Sequence, residues 1–178
     1  MIFKGLTDKF KRISGSKFLK QELIKRLEIR PKRTGAKRVG IIIDLDKFSN
    51  PEKFEDLRRL LNLDPNAIHL IGYRKNPAKD NALSSSIFSD RDLGWNGVVE
   101  NNSVFEFLDR EYDLLLNYYN ENNLMMQLLS IRTKSQFRVG FEGLDPDYND
   151  LILLSDPGDF ELFKSELEKY LKVLIKWE

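Results

Sequence analysis

The sequence predicts an α/β three-layer sandwich of about five mainly parallel strands, carrying a basic helical N-terminal extension. Three observations lead there. Compact apolar blocks such as RVGIIID (Arg38–Asp44) and YDLLLNYY (Tyr112–Tyr119) lack the alternation of a half-exposed strand and read as strands covered on both faces. Between them lie stretches whose apolar residues recur every three to four positions, the period of a helix with one buried face. Charge is segregated as well: Met1–Val39 holds thirteen Lys and Arg against three acids, Asp8, Glu22 and Glu28, a net +10, whereas the whole chain is +1, so Gly40–Glu178 carries −9. This divides the chain into a basic helical extension and linker over 1–36 and an α/β domain over 37–178.

In the extension, Ile2, Phe3, Leu6, Phe10 and Ile13 fall within an arc of about 100° at ~100° per residue, with Lys4, Lys11 and Arg12 on the far side and Lys9 at the flank. Ser14-Gly15-Ser16 interrupts the pattern. Two short helices are therefore expected, the second capped by Ser16 and striped by Leu19, Leu23, Ile24 and Leu27. RPKRTGAKR, Arg30–Arg38, has no apolar period and reads as an exposed basic linker.

After the first strand, Asn50-Pro51 opens a helix whose inner face is Phe54, Leu57, Leu60 and Leu61, with Asn as N-cap and Pro where its missing N–H costs nothing. AIHLIGY, Ala67–Tyr73, is the second strand. FSDRDLGWNGVVE, Phe88–Glu100, has no period. Ser89 followed by Asp92 predicts a capped helical turn, Asn96-Gly97 a tight turn with positive φ, and Trp95 is expected to pack beneath the loop. A short helix follows near Val104–Asp109, then the strand Tyr112–Tyr119 and a mostly buried helix through Leu124, Met125, Leu128, Leu129 and Ile131. Gln136–Glu142 and Asn149–Ser155 are strands with no helix between them, a pair either antiparallel or with one member at a sheet edge. Asp156-Pro157 opens the last helix, striped by Phe160, Phe163, Leu167, Tyr170, Leu171 and Leu174.

The chemistry open to the chain is narrow. It has no cysteine, which excludes disulfides, thiolate metal sites and cysteine nucleophiles, and His69 is its single histidine. That residue lies inside an apolar strand and reads as a packed side chain. Glycine-rich phosphate loops, zinc-protease motifs and motifs for reading DNA sequence are lacking, so no cofactor and no metal are expected. The candidate catalytic residues are Asp44 and Asp46, two carboxylates just past the end of the first strand, where open α/β sheets bind ligands, together with Arg91 and Asp92 of the periodless loop. Asp44 and Asp46 resemble the first motif of haloacid-dehalogenase-type phosphatases, but Phe48 stands where that motif carries Thr. A turn that hydrates the strand end explains the same two aspartates. The candidate binding residues are the cations of the extension: Lys4, Lys9, Lys11, Arg12, Arg30, Lys32, Arg33, Lys37 and Arg38. Their expected partner is an anionic surface, either a membrane or RNA; folding of the basic segment back onto the acidic body is the alternative. No apolar run approaches the ~20 residues that cross a bilayer, and the N-terminus lacks a signal-peptide core. A cytoplasmic protein, peripheral at the inner membrane face, fits this pattern.

Three stretches taken together, FSDRDLGWNG, YDLLLNYY followed by NNLMMQLLS, and FRVGF followed by NDLIL, carry a resemblance over about Lys37–Leu174 to an uncharacterised Bacteroidota family known as a domain of unknown function. The resemblance implies a Rossmann-like fold and no particular activity. From YDLLLN to FRVG the chain is also faintly similar to one half of a heptosyltransferase-like GT-B glycosyltransferase, without the second half such an enzyme needs. The expected function is that of a binding or adaptor protein docked by its basic N-terminus. A small phosphatase- or glycosyltransferase-like enzyme using Asp44 and Asp46 is the alternative.

Overall fold

The structure, a computed structural model, describes residues 2–27, 37–77 and 86–174. Eleven elements matter among them. α1 (Ile2–Leu27) precedes β1 (Val39–Asp44), α2 (Phe54–Leu60), β2 (Ile68–Tyr73) and β3 (Ile87–Phe88). Then follow α3 (Asn102–Leu108), β4 (Glu111–Tyr118), α4 (Leu124–Arg132), β5 (Lys134–Phe141), β6 (Leu151–Leu153) and α5 (Phe160–Leu174). The strands form one six-stranded sheet in the order β3-β2-β1-β4-β5-β6, every neighbouring pair parallel. This is the strand order of dinucleotide-binding folds, in which the chain reverses its direction of travel across the sheet between β1 and β4.

Apolar blocks become central strands because both faces are covered. On one face Ile41, Ile43, Leu114 and Leu116 pack with Phe54 and Leu57 of α2 and Phe163, Leu167 and Leu171 of α5. On the other, Ile42, Ile71 and Leu115 pack with Val104 and Phe107 of α3 and Met125, Leu128 and Leu129 of α4, joined by Leu19 of α1. Each fully buried side chain of this size contributes roughly 1.5–3 kcal/mol. Tyr118 organises the first core: Phe48, Phe54, Phe141 and Phe163 meet its ring at 5.3, 4.9, 5.1 and 5.0 Å between centroids, all near perpendicular. Its hydroxyl donates to the Pro157 carbonyl, which ties the start of α5 to the end of β4.

Two expectations change, and the alternative left open for the last two strands is decided in favour of an edge strand. The sixth strand, β3, has two residues that pair with Gly72 and Tyr73, too few to show a period in the sequence. The last two strands are parallel, with β6 at the edge. Their connection over residues 142–150 crosses the α3–α4 side, where Leu144 and Tyr148 join the core in place of a helix. And the extension is one continuous helix, not two. Gly15, expected to break it, is instead a buried point of close approach to the body: a side chain there would meet Leu128 and the Gly97 Cα within 3.5 and 3.6 Å. Ser14 Oγ accepts the Asn96 N–H at 2.8 Å. These contacts offset the ~1 kcal/mol that glycine costs a helix.

Candidate functional site

The candidate catalytic residues lie about the carboxyl end of the sheet, and most described cations of the extension lie on α1. At the carboxyl end, Asp44 closes β1 and is buried. Its Oδ1 accepts the Asp46 N–H at 3.0 Å, and its carbonyl accepts from Lys47 and Phe48, so the residue shapes a tight turn. Burial raises its pKa above the ordinary 3.8, against the lowering effect of the Asp46 and Lys47 backbone donors. Asp46 is exposed, and its Oδ2 accepts the Lys75 N–H at 2.8 Å, linking the β1 and β2 ends. Lys47 binds Asn120 Oδ1 at 3.1 Å and Glu121 at 2.6 Å, linking the β1 and β4 ends across the reversal point. Side chains thus bridge the crevice where such sheets hold ligands.

Asp92 lies in the Asp90–Asp92 turn and completes the expected capping box: its Oδ2 accepts the Ser89 N–H at 2.7 Å and also faces Asn101 Nδ2 at 3.4 Å. Arg91 is exposed and lines a cleft of about 330 Å³ between this turn and α1, shared with Asp8, Lys11, Arg12 and Asp90. Asp44, Asp46 and Asp92 do not line that cleft. Among the described residues no group of three or more His, Asp or Glu is placed to hold a metal ion. Asn96 and Gly97 take the expected positive φ, +52° and +69°. Trp95 does not pack beneath the loop: it is half-exposed, while Leu93 and Val99, bridged to each other, are buried. His69 sits on β2 with its ring edge-on to Tyr112 at 5.9 Å.

Asp90 was not anticipated as functional, yet it holds the loop to two elements. It accepts the Tyr73 hydroxyl at 2.9 Å and pairs with Arg12 of α1 at 2.6 Å. Burial pushes the Tyr73 phenol up to about 12. Since burial raises the Asp44 pKa, the sign for stability follows. The neutral form favours the fold below pH 3.8, and that contribution is lost as pH rises through the folded pKa. Asp44→Asn, which keeps an oxygen acceptor without the charge, is therefore expected to melt above the wild type at neutral pH. The gap should close in acid, and melting curves against pH read both limbs.

On α1 the cations divide. Arg12 pairs with Asp90, Arg26 with Asp150 at 2.9 Å, and Lys11 is half-buried, so the side expected to be a free basic face lies against acidic loops. That part of the segment does fold back onto the body, because the helix is anchored through Gly15, Phe18 and Leu19 on the same side. The Arg132 guanidinium stacks on the Phe18 ring at 4.0 Å. The opposite side carries Leu6, Phe10, Ile13 and Ile24, 51, 52, 55 and 64 % exposed, within an arc of about 60° at ~100° per residue. Continuity of the helix brings Lys17 and Lys20, with Lys9 at the flank, onto that same exposed side. Lys17 and Lys20 were missed as binding candidates, since a broken helix removes their alignment with Leu6. Lys4 lies on α1, with its side chain outside the described residues, as are Arg30, Lys32 and Arg33 entirely. Lys37 and Arg38 are exposed at the amino end of the sheet, where their N–H groups donate to Asp113 at 2.7 and 2.9 Å. No described helix is long and apolar enough to cross a membrane.

Comparison with known proteins returns no matching curated protein and no matching solved structure. A family model does match, over residues 11–174, from within α1 to the end of α5. The chain belongs to that family, DUF6913, a family of unknown function.

Proposed function

We propose that this chain is a docking protein that lies on an anionic membrane surface through the outer side of α1. The observation that carries the reading is the row Leu6, Phe10, Ile13 and Ile24, exposed and interleaved with Lys9, Lys17 and Lys20 on the side turned away from the body. Large apolar side chains aligned on a helix and flanked by lysines suit the boundary between headgroups and acyl chains. Each lysine near an anionic bilayer adds roughly 1 kcal/mol, so binding is reversible and sensitive to salt. The −9 charge of Gly40–Glu178 is repelled by the same surface, which favours one orientation, α1 down and the sheet away. RNA would use the lysines but leave the apolar row in water, and this favours the membrane.

Co-sedimentation of the full chain with phosphatidylserine-containing vesicles tests the reading. The Leu6→Ser, Phe10→Ser, Ile13→Ser triple variant should lose vesicle binding while keeping the wild-type melting temperature, because all three side chains are exposed. A triple variant that still sediments with vesicles would refute the assignment. So would binding to total RNA that survives the triple change, with no wild-type vesicle binding; it would point to RNA.

A further inference from the structure

β5 has one apolar face, Phe137, Val139 and Phe141, and one that is not: Gln136 donates to Asp113 at 3.1 Å, Arg138 reaches the end of α4, and Gly140 faces Asn149. Arg138 is 6 % exposed. Its Nη2 donates to the Thr133 and Ser130 carbonyls, at 2.6 and 3.4 Å, at the end of α4, where the helix presents negative partial charge. Among the described residues no carboxylate pairs with the guanidinium. Asp150, whose charge acts on Arg138, is already engaged: Oδ1 with Arg26 and Oδ2 with Arg138's own backbone N–H at 2.7 Å. Arg138 Nε is buried without a hydrogen-bond partner, and so is Ser135 Oγ three residues earlier.

These two residues line a cavity of about 260 Å³ between the last turn of α1, the end of α4 and the start of β5. Lys25, Arg26, Arg132 and Lys134 line it too, and Glu22, which pairs with Lys25 at 2.5 Å, is the one acid on its wall among the described residues. Arg132 is spent on the Gly97 and Asn96 carbonyls and acts only through its field. A buried guanidinium donor left unpaired is costly, and a cavity of this polarity and charge favours an anion that supplies the missing acceptors.

We propose that this cavity is an oxyanion site that takes a phosphate dianion, either free or as a monoester, with Arg138 Nε and Ser135 Oγ as its inner donors and Lys25 and Lys134 at its rim. A phosphate offers several acceptor oxygens to donors around one cavity, and Arg138 offers it Nε while Nη2 stays on the helix carbonyls. Burial, reinforced by Arg26, lowers the Arg138 pKa to about 10, so an anion in the cavity would relieve the group. The cavity lies on the body side of α1, away from the exposed apolar row, and it stands independently of the membrane reading.

The test uses the full ¹⁵N-labelled chain, titrated with inorganic phosphate, glycerol 3-phosphate and acetate at constant ionic strength. Saturable amide shifts centred on Ser135, Gln136 and Arg138 are expected with both phosphates and not with acetate. The tighter of the two phosphates identifies the free ion or the ester. Arg138→Lys should weaken binding roughly tenfold, the size of one charge-assisted hydrogen bond. If that variant does not fold, Lys25→Gln with Lys134→Gln, both exposed, should weaken it several-fold while leaving the melting temperature unchanged. Shifts that do not saturate, that centre on Lys9, Lys17 and Lys20, or that acetate reproduces would overturn the proposal.

Discussion

Leu115→Ala is expected to destabilise the fold by ~2–5 kcal/mol, the range for truncating a leucine that cannot be replaced by collapse of its surroundings. Leu115 lies in the middle of β4, fully buried, opposite Gly40 on one side and Arg138 on the other. Gly40 is held to a bare hydrogen by this packing: a side chain there would lie 3.1 Å from Leu115 and 3.0 Å from the Tyr112 ring. Strands on both sides fix the backbone, so the void left by the missing isobutyl group stays open. Urea denaturation should show a lower midpoint at an unchanged slope, since the same surface is exposed on unfolding.

Gly97→Val should have an effect of comparable weight and a different distribution. The residue sits at φ +69°, a conformation that costs a non-glycine residue about 1–3 kcal/mol and that a β-branched one resists most. A Cβ would also come within 2.6 Å of Leu128 and 3.1 Å of Phe18, so overpacking adds to the strain. Because Gly97 faces α1, the damage should concentrate there. Amide exchange is expected to accelerate along Phe10–Leu23 more than in β1 or β4. Uniform acceleration through the sheet would show that α1 and the body open together.

How far these positions were legible from sequence depends on the range of the interaction that defines them. β1, β4 and α5 declared themselves because their composition answers to burial alone: Ile41, Ile42 and Ile43 are all covered, and α5 turns Phe163, Leu167 and Leu171 inward. The turn at Ser89–Asp92 was readable because its capping box closes within four residues. What failed was everything decided by a distant partner. Gly15 breaks an isolated helix, yet here it admits Gly97 from 82 residues away. Trp95 looked like a loop anchor, but the buried side chains of that loop are Leu93 and Val99, bridged across it. Arg138 carried a signal that went unused, a charge inside the apolar run FRVGF. A cation in a strand covered on both sides must be paired, bound to carbonyls, or waiting for a ligand. Asp44 and Asp46 were correctly placed at the carboxyl end of β1, and the hydrogen bonds they make there are those of a turn.

The uniformly parallel sheet has a consequence for how the chain reaches this structure. No two neighbouring strands are joined by a hairpin, and even the short connection over residues 142–150 must cross a face of the sheet before its strands pair. The central pairing sets Val39 against Leu114, and the whole of α2, β2, β3 and α3 lies in the chain between them. Chain entropy must be lost before that contact rewards it, which places the protein among slow folders of high contact order. Until β4 docks, β1 presents an open edge of Ile41, Ile42 and Ile43, a run suited to pairing with another chain. During synthesis that edge emerges well before its partner, and over that interval aggregation competes with folding.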